Sequence, residues 1–582
     1  MSKVSRPAAY AITLLSAGLA GAALGSCRER SGENAWPRSV EASEQVFQQV
    51  RSLWDQIDVT RSRGATTSTG GVALIDLIGS YTGARTDLQQ ALVGDPNPPA
   101  LGEDLRALDA MRDALERYLP EVFVDADSAD AGSSVDSGSA DSEADRGLKD
   151  DCRYDAEMFA MEETGYALLS ERIYNCFSEA AHTLSFEGEP MDRLTIFGRL
   201  PLTEEPSRRE GLWRAMLPIW ESVNGDNGPR SPYRTLIRLN AARMKREGKV
   251  LGESVRGIGV EPEVMESWLV AVLQKWRDIT PNLVIEPWDF AYNAGRGNRA
   301  LRDAIPVESL RSINDRFYRD LGADPVALQV QYDLEPRPSK DPVAFTTFGR
   351  RPRFEGGIWV LGEPWVFASY QMGGLDNLLE LLHETGHAIH IAAIRTRPAF
   401  NDWPDSDIFT EGIADIATLE MYEPVWQQRY LGSSIPIEDA VAAKYASIVM
   451  DIAWALFEVR MHRAPERDPN EVWGEICQRY FRIIPHPSLA WWAVRGQLID
   501  SPGYMMNYAA GAIMNADLRA RLLERYGSYA EGAPGWYGRV SETLYRFGLE
   551  KTSKEVIESF LGRPVSPQAL LDDMSRAVSG AH

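Results

Sequence analysis

Cysteine, histidine and basic residues are all scarce in this chain. Its 582 residues include only 4 cysteines and 7 histidines, and 84 acidic residues outnumber 61 basic ones to give a net charge of −23. Four widely separated cysteines exclude a cysteine metal cluster. The acidity argues against a nucleic-acid partner, because nucleic acids bind basic surfaces. A hydrophobic content of 44% and a charged content of 25% indicate a globular protein long enough for more than one folded region.

Long hydrophobic runs are also rare, and the one at the N-terminus has the layout of a secretory signal. Lys3 and Arg6 precede an apolar run, 8–24, that is short for a stable membrane span. The run ends at 24–27, "LGSC", which resembles a bacterial lipobox. That resemblance implies cleavage before Cys27 and a lipid anchor on Cys27, the alternative being an ordinary cleaved signal with a chance cysteine.

The first residue after that cysteine bears on where the protein goes. Arg28 in second position resembles lipoproteins sent to the outer membrane. We therefore expect an exported lipoprotein of the outer membrane or facing the periplasm, whose lipid anchor is its only membrane contact. Three other cysteines remain in this oxidising compartment. Cys152 and Cys176 are close enough in sequence to pair, which would leave Cys477 as a buried free thiol, but spacing alone does not decide the pairing.

Composition divides the rest of the chain. Apolar residues at three- and four-residue intervals predict a small helical region over 28–123. Residues 124–149 are rich in Asp, Ser and Ala and predict a disordered acidic linker, because such a segment cannot bury enough apolar surface to fold. The signal occupies 1–27, and 150–582 forms the large region that we expect to be catalytic.

The large region has mostly helical periodicity and few strands. The best strand candidates are "PVAFTTFG" (342–349) and "GGIWVLGEPWVFASY" (356–370), which carry β-branched and aromatic residues bounded by Gly and Pro. Both stand just before a histidine-bearing helix. The predicted fold class is therefore mainly α, with a small β-sheet beside that helix.

The helix in question contains "LLELLHETGHAIH", residues 378–390. Positions i and i+4 share one helix face, so His383 and His387 can bind one zinc ion. Glu384 lies on a neighbouring face of the helix, from which it can reach a water on the metal. Gly386 would leave the helix surface open beside the metal. The alternative is a core helix with incidental histidines. His390 is expected to be a packing residue or a residue that supports the ligands from behind, and not a ligand itself.

A catalytic zinc needs a third protein ligand and one open position. Glu411 and Asp415 lie on one face of a second helical stretch, "DIFTEGIADIATLEMYE". Glu411 is the predicted third ligand, and Asp415 is predicted to accept a hydrogen bond from a ligand histidine. The competing carboxylates are Glu380 and Glu420.

These residues together resemble a family. His383–His387, followed after 23 residues by a Glu-x-x-x-Asp pattern, is similar to the helical zinc peptidases with two His and one Glu ligand: the thimet oligopeptidase and oligoendopeptidase F group and the angiotensin-converting-enzyme-like peptidyl-dipeptidases. "DLEPRPSKDPVAFTTFG" (333–349) resembles a stretch that the oligopeptidase group carries ahead of its motif. The resemblance covers about 150–575 and leaves out 28–123. It implies a two-lobed helical fold around a deep cleft.

The same resemblance implies the rest of the site. "GYMMNYAAG" is similar to the family's Gly-Tyr-x-x-x-Tyr element, which makes Tyr508 the oxyanion donor and Tyr504 a substrate contact. His486 takes the place of the family's late histidine, although its spacing from Tyr504 is longer than in the family. "EGGIWVLGE" (355–363) is either an exposed strand that lines the cleft or a buried strand under the motif helix, and Arg495 could meet a substrate carboxylate.

The predicted function is a zinc metallopeptidase that cleaves oligopeptides, with one zinc per chain and Glu384 as the general base. Two alternatives stay open: a catalytically silent zinc protein that uses the fold to bind a peptide or partner, and a hydrolase of a non-peptide amide. Peptides are the expected partners, and the sequence does not indicate an oligomeric state.

Overall fold

The computed structural model describes residues 40–63, 80–89, 102–117, 165–337, 340 and 343–579. The predictions for the signal at 1–27, the anchor Cys27, the linker at 124–149 and Cys152 lie outside these residues.

Helices make up most of the described chain. The α-helices are α1 (Val40–Ser62), α2 (80–89), α3 (Gly102–Arg117), α4 (Gly165–His182), α5 (Arg193–Arg199), α6 (Pro206–Arg214), α7 (Leu217–Asn224), α8 (Pro232–Glu247), α9 (Pro262–Ile279), α10 (Phe290–Ala294), α11 (Arg296–Leu301), α12 (Leu310–Asp320), α13 (Leu375–Ala393), α14 (Asp407–Thr418), α15 (Pro424–Leu431), α16 (Ile437–Arg463), α17 (Pro469–Phe481), α18 (Gln497–Asp500), α19 (Met505–Tyr526), α20 (Trp536–Val540), α21 (Ser553–Leu561) and α22 (Gln568–Ser579). Short 3₁₀ turns include Pro287–Asp289 and Pro398–Phe400.

The strands form three small sheets. They are β1 (Leu184–Phe186), β2 (Glu189–Met191), β3 (Gln331–Asp333), β4 (Phe345–Arg350), β5 (Arg353–Glu355), β6 (Ile358–Val360) and β7 (Glu363–Phe367). β1–β2 and β5–β6 are antiparallel pairs. In the third sheet β7 is central, parallel to β3 and antiparallel to β4. The prediction of a mainly α fold with a small sheet beside the motif helix is confirmed.

The three-stranded sheet lies between two helices. In the β4–β7 register Thr346 pairs with Val366 and Thr347 with Trp365. Because side chains alternate between the faces of a sheet, these pairs point in opposite directions. Thr346 and Val366 face α13, where Thr346 bonds to the motif helix and Val366 is fully buried. The Thr347 face meets α1. The layers are therefore α1, sheet and α13.

One large core unites the C-terminal region, with buried apolar residues from Leu169 to Met574. Helix α16 is a central part of it and packs against α9, α19 and α22. Among the described residues, α16 is the one helix long and apolar enough to cross a membrane, but 67% of its apolar window is buried inside the protein. This is weak evidence for a membrane span, because a core helix passes the same test.

The N-terminal helices α1–α3 build a second core that includes Ala399 and Phe400 from the C-terminal region. They fall inside the predicted helical region 28–123, and they dock directly onto the larger part. Of the cysteines, Cys477 is a buried free thiol, as expected. Cys176 is disulfide-bonded, and the pairing with Cys152 that the sequence left open concerns a residue outside the described ones.

Candidate metal centre

Helix α13 presents both motif histidines on one face. It begins after Gly374, carries Asp376 in its first turn, where a negative charge favours the helix N-terminus, and is buried along most of its length. The His383 side chain is 14% exposed and that of His387 is 2% exposed. The two Nε2 atoms lie 3.1 Å apart, because residues four apart are neighbours on a helix surface.

Gly386 has a different role from the one predicted. A Cβ atom built on it would lie 2.4 Å from the backbone oxygen of Ala414 in α14. The expectation that this glycine leaves the surface open beside the metal is therefore wrong. It allows α13 and α14 to approach closely, and that approach brings Glu411 to the histidines.

Helix α14 supplies the third donor. It begins at Asp407, where the Ser406 side chain caps it by accepting a hydrogen bond from the Phe409 backbone N–H. One turn later, Glu411 Oε2 lies 3.3 Å from His383 Nε2 and 3.7 Å from His387 Nε2. Two nitrogens and one oxygen thus converge on one point, as predicted.

The three atoms fit a divalent metal. A tetrahedral zinc site with bonds of 2.0–2.2 Å holds its ligand atoms about 3.3–3.5 Å apart. The observed triangle of 3.1, 3.3 and 3.7 Å is close to that spacing. Lone pairs of two neutral imidazoles and a carboxylate repel one another unless a cation stands between them. The His-His-Glu set is the donor set found in catalytic sites that keep an open position.

The surrounding charges favour a cation here. His383 Nδ1 lies 2.7 Å from Asp415 Oδ1, so the predicted hydrogen bond to a ligand histidine is present. Burial opposes a charged imidazole, but Asp415 and Glu411 outweigh it and raise the pKa of His383. Burial likewise opposes a charged Glu411, but hydrogen bonds with His383 and His387 hold the pKa of that carboxyl well below its usual range. The lowered pKa keeps Glu411 deprotonated, as a metal requires, and the raised pKa of His383 shows that the surrounding carboxylates attract a positive charge to this site.

Glu384 stands next to the three donors and is fully buried. The Thr346 hydroxyl lies 2.8 Å from its Oε2 and 2.9 Å from its backbone oxygen. Its other oxygen, Oε1, is buried without a hydrogen-bond partner among the described residues. A buried carboxylate oxygen without a partner is costly unless a ligand or water completes it.

Tyr508 and Tyr504 lie together at the start of α19, with ring centroids 5.4 Å apart. Burial and the charges of Asp451 and Glu411 raise the pKa of Tyr508 to about 12. The phenol thus lies within electrostatic range of the metal site and stays protonated, as an oxyanion donor must. The Gln497 side chain donates to its oxygen at 3.3 Å.

The contacts of His486 are with residues other than the three candidate metal donors. Its Nε2 lies 2.8 Å from Glu286 Oε2. Its ring centroid lies 6.0 Å from that of Trp213 and 5.6 Å from that of Trp288. Within the described part of the chain, no hydrogen bond or ring contact links it to His383, His387 or Glu411. The unusual spacing from Tyr504 was the sequence signal for this difference.

The competing carboxylates have other partners. Glu420 forms a buried ion pair with Arg519 at 2.5 Å, and Glu380 interacts with Tyr370. Arg495 pairs with the buried Asp451 at 2.5 Å, and its charge influences Tyr508. Of segment 355–363, β6 is exposed and is not buried under the motif helix: Ile358 is 71% exposed, and β6 pairs only with β5 in the described structure, while β4 and β7 lie against α13. That 355–363 lines a cleft stays a prediction.

Two neighbours of the site escaped the sequence analysis. Thr346 belongs to a predicted strand, but its contact with Glu384 depends on which face of β4 meets α13. Trp403 lies with its ring centroid 5.5 Å from that of His387. It follows a loop that carries no recognisable motif.

Comparison with known proteins extends these findings. No family model and no curated protein matches the chain. Several solved structures, in contrast, match most of the chain. An M32 carboxypeptidase from Deinococcus radiodurans R1 shares 15% identity over 92% of this chain and 98% of its own, with a TM-score of 0.53. The chain has the helical metallopeptidase fold.

Two further structures agree. A putative peptidase from Chlamydophila abortus shares 14% identity over 94% of this chain and 92% of its own, with a TM-score of 0.54. A Pyrococcus furiosus carboxypeptidase shares 12% identity over 94% of this chain and 99% of its own, with a TM-score of 0.51. At such low identities these likenesses establish the fold alone.

The coverage also corrects the expected extent of the resemblance. Residues 124–582 would supply at most about 79% of the 582-residue chain, yet the alignments cover 92% or more. The structural similarity therefore reaches into 28–123, which the sequence resemblance leaves out. The N-terminal helices belong to the shared fold.

Proposed function

We propose that this protein is a zinc-dependent metallopeptidase that hydrolyses peptide bonds in oligopeptides. The observation that carries the proposal is the convergence of His383, His387 and Glu411 beside the buried Glu384. The metallopeptidase fold supports it. Among divalent metals, zinc suits a set of two imidazoles and one carboxylate best.

The chain's own residues account for the steps of the reaction. Zinc, when bound, supplies Lewis acidity that makes a neighbouring water acidic near neutral pH. Glu384 accepts a proton from this water through the unpartnered Oε1 and later gives it to the leaving amine. Thr346 holds the other oxygen of Glu384 in place. Tyr508, protonated at neutral pH, donates to the oxyanion that develops on the substrate carbonyl.

The finer type of peptidase is also a proposal. The sequence resemblance favours an oligopeptidase or a peptidyl-dipeptidase, and two of the matched structures are carboxypeptidases. Arg495, within electrostatic range of Tyr508, would favour substrates whose C-terminal carboxylate lies close to the scissile bond.

The test is cleavage of a mixed oligopeptide pool by the purified protein, read by mass spectrometry. Each peptide is offered with a free and with an amidated C-terminus. Glu384→Gln should lower kcat by about 10²–10⁴-fold because it removes the general base. Its zinc content should remain stoichiometric. Glu542→Gln is the matched control, since Glu542 is exposed and, among the described residues, forms an ion pair only with Arg546.

The outcomes separate the alternatives. Internal cuts that ignore amidation would identify an endopeptidase, and cuts that require a free C-terminus would identify an exopeptidase. One observation favours the catalytically silent alternative: the His486 imidazole bonds to Glu286, which occupies a nitrogen that a substrate-binding histidine would offer. Full zinc content without any cleavage of the pool would replace the peptidase proposal by that alternative.

We further propose export and lipid anchoring through Cys27. Metabolic labelling with a palmitate analogue, compared between the full chain and Cys27→Ser, tests it. Label on both forms or on neither would reject the anchor.

A further inference from the structure

Helix α1 lies against the outer face of the sheet whose inner face holds Glu384. The Thr347 hydroxyl donates to the Asp58 carboxylate of α1. The Arg63 guanidinium, just after α1, stands 5.2 Å from the ring centroid of Trp365, the β7 partner of Thr347. Thr346, the next residue along β4, points to the other face and bonds to Glu384. Two adjacent threonines thus connect α1 to the general base through one strand.

A second connection runs to a metal ligand. Arg51 of α1 donates to Asp402 and to the backbone oxygen of Asn401, both at 2.5 Å. Asp402 also accepts from Arg351 at 3.1 Å, and Arg351 pairs with Asp55 of α1 at 2.8 Å. Four charges of alternating sign therefore join α1 to the loop after Phe400, and Arg51 and Asp402 are almost fully buried.

That loop continues directly into Trp403. The centroid of the Trp403 ring lies 5.5 Å from that of His387 and 5.7 Å from that of His390. The position of the Asn401–Trp403 segment therefore determines how tightly the His387 imidazole is confined. A rigid environment keeps a ligand pre-organised for its metal.

We propose that helix α1 is a positioning element of the metal site: through Asp58 and Thr347 it orients Glu384, and through Arg51 and Asp402 it confines His387. The part of this inference that concerns Glu384 rests on the proposed function. The part that concerns His387 can be tested by zinc binding, without catalysis. Helix α1 is then required for the geometry of the site, in addition to its contribution to the packing of the fold.

The competing explanation is that α1 only stabilises the fold. Glu44 provides the matched control, because it lies on α1 and, among the described residues, its hydrogen bonds go to Arg397 at 2.8 Å and to the Ala399 N–H at 3.1 Å, and not to the sheet or to Trp403. Glu44→Gln should weaken docking and leave kcat and zinc affinity of the folded protein unchanged. Urea unfolding of every variant measures the loss of stability separately.

Two variants of the full-length protein test the proposal. Thr347→Val removes the hydroxyl that Asp58 binds, and kcat should fall about tenfold with KM unchanged, since a small displacement of a catalytic group is costly. Thr347→Ser should restore kcat. Arg51→Lys keeps the charge but loses the planar fork that spans Asn401 and Asp402. Its zinc dissociation constant, measured by chelator competition, should rise about tenfold.

The results are decisive in each direction. If both variants lose stability as Glu44→Gln does but keep kcat and zinc affinity, α1 is only a packing element and the proposal is overturned. If the wild type cleaves no peptide while Arg51→Lys still weakens zinc binding, the proposed peptidase function fails and the positioning of His387 by α1 stands.

Discussion

At the scale of single residues, three histidines on one helix have three different environments. His383 bonds to Asp415 and faces Glu411, whereas His387 is almost fully buried beside Trp403. His390, one turn further on, packs between Trp403 and Tyr545, and burial lowers its pKa to about 3. Because its ring is buried and stays neutral at physiological pH, His390 serves as a packing residue. The residue type is the same, and the neighbours decide its role.

Asp415 acts on the candidate metal site through its hydrogen bond with His383. Asp415→Asn keeps an oxygen near His383 Nδ1 but removes the negative charge that makes this imidazole a better ligand. We expect the zinc dissociation constant to rise about 10–100-fold. Competition with a chelator measures it.

Asp109→Asn serves as the comparison, because Asp109 is exposed on α3 and pairs only with Arg112 in the described structure. It should bind zinc as the wild type does. Equal zinc affinity in Asp415→Asn and in this control would show that the negative charge of Asp415 contributes nothing to zinc binding.

At the scale of elements, the site depends on the contact between α13 and α14. Gly386→Ala would place a Cβ atom 2.4 Å from the Ala414 backbone oxygen, too close for any carbon. The helices would have to separate. We expect a loss of about 1–3 kcal/mol in the free energy of unfolding, together with weaker zinc binding because Glu411 moves with α14. Urea denaturation and chelator competition give the two values.

Gly511→Ala is the matched change in another helix. Among the described residues outside its own helix, a Cβ atom there would have no neighbour closer than 3.7 Å, so alanine fits and its better helix propensity should leave stability unchanged or raised. If Gly386→Ala unfolded at the same urea concentration as the wild type, the close approach of α13 and α14 would not be needed for the fold.

At the scale of the whole molecule, a buried carboxyl makes stability depend on pH. Glu458 of α16 accepts a hydrogen bond from the Gly503 N–H at 2.6 Å, just before α19. Burial raises its pKa from 4.5 to about 8. Because the folded state binds this proton more tightly, its stabilising contribution is complete below pH 4.5 and is lost as the pH rises towards 8.

The wild type should therefore lose about 2–3 kcal/mol of unfolding free energy between pH 6 and pH 8 through this group. Glu458→Gln keeps the acceptor for Gly503 and cannot ionise, so its stability should change less over that range. Urea unfolding of both proteins at the two pH values measures the difference. Parallel pH profiles would mean that Glu458 does not change its charge in this range.

The sequence by itself determined the candidate metal donors and the fold class. His383 and His387 share a face because any α-helix brings residues four apart together, and the same periodicity identified the helix that carries Glu411 and Asp415. The small sheet was predicted from its β-branched and aromatic residues. All of these follow from spacing along the chain, which local backbone geometry converts directly into position.

Only the tertiary structure decided the rest. The place of His486 beside Glu286, the contact of Thr346 with Glu384, the tight approach at Gly386 and the docking of α1 on the sheet all join segments far apart in sequence. No local period encodes which surfaces meet, because that depends on the packing of the complete core. Helix α1, separated from the large C-terminal region by composition, lies one strand away from Glu384, the proposed general base, for the same reason.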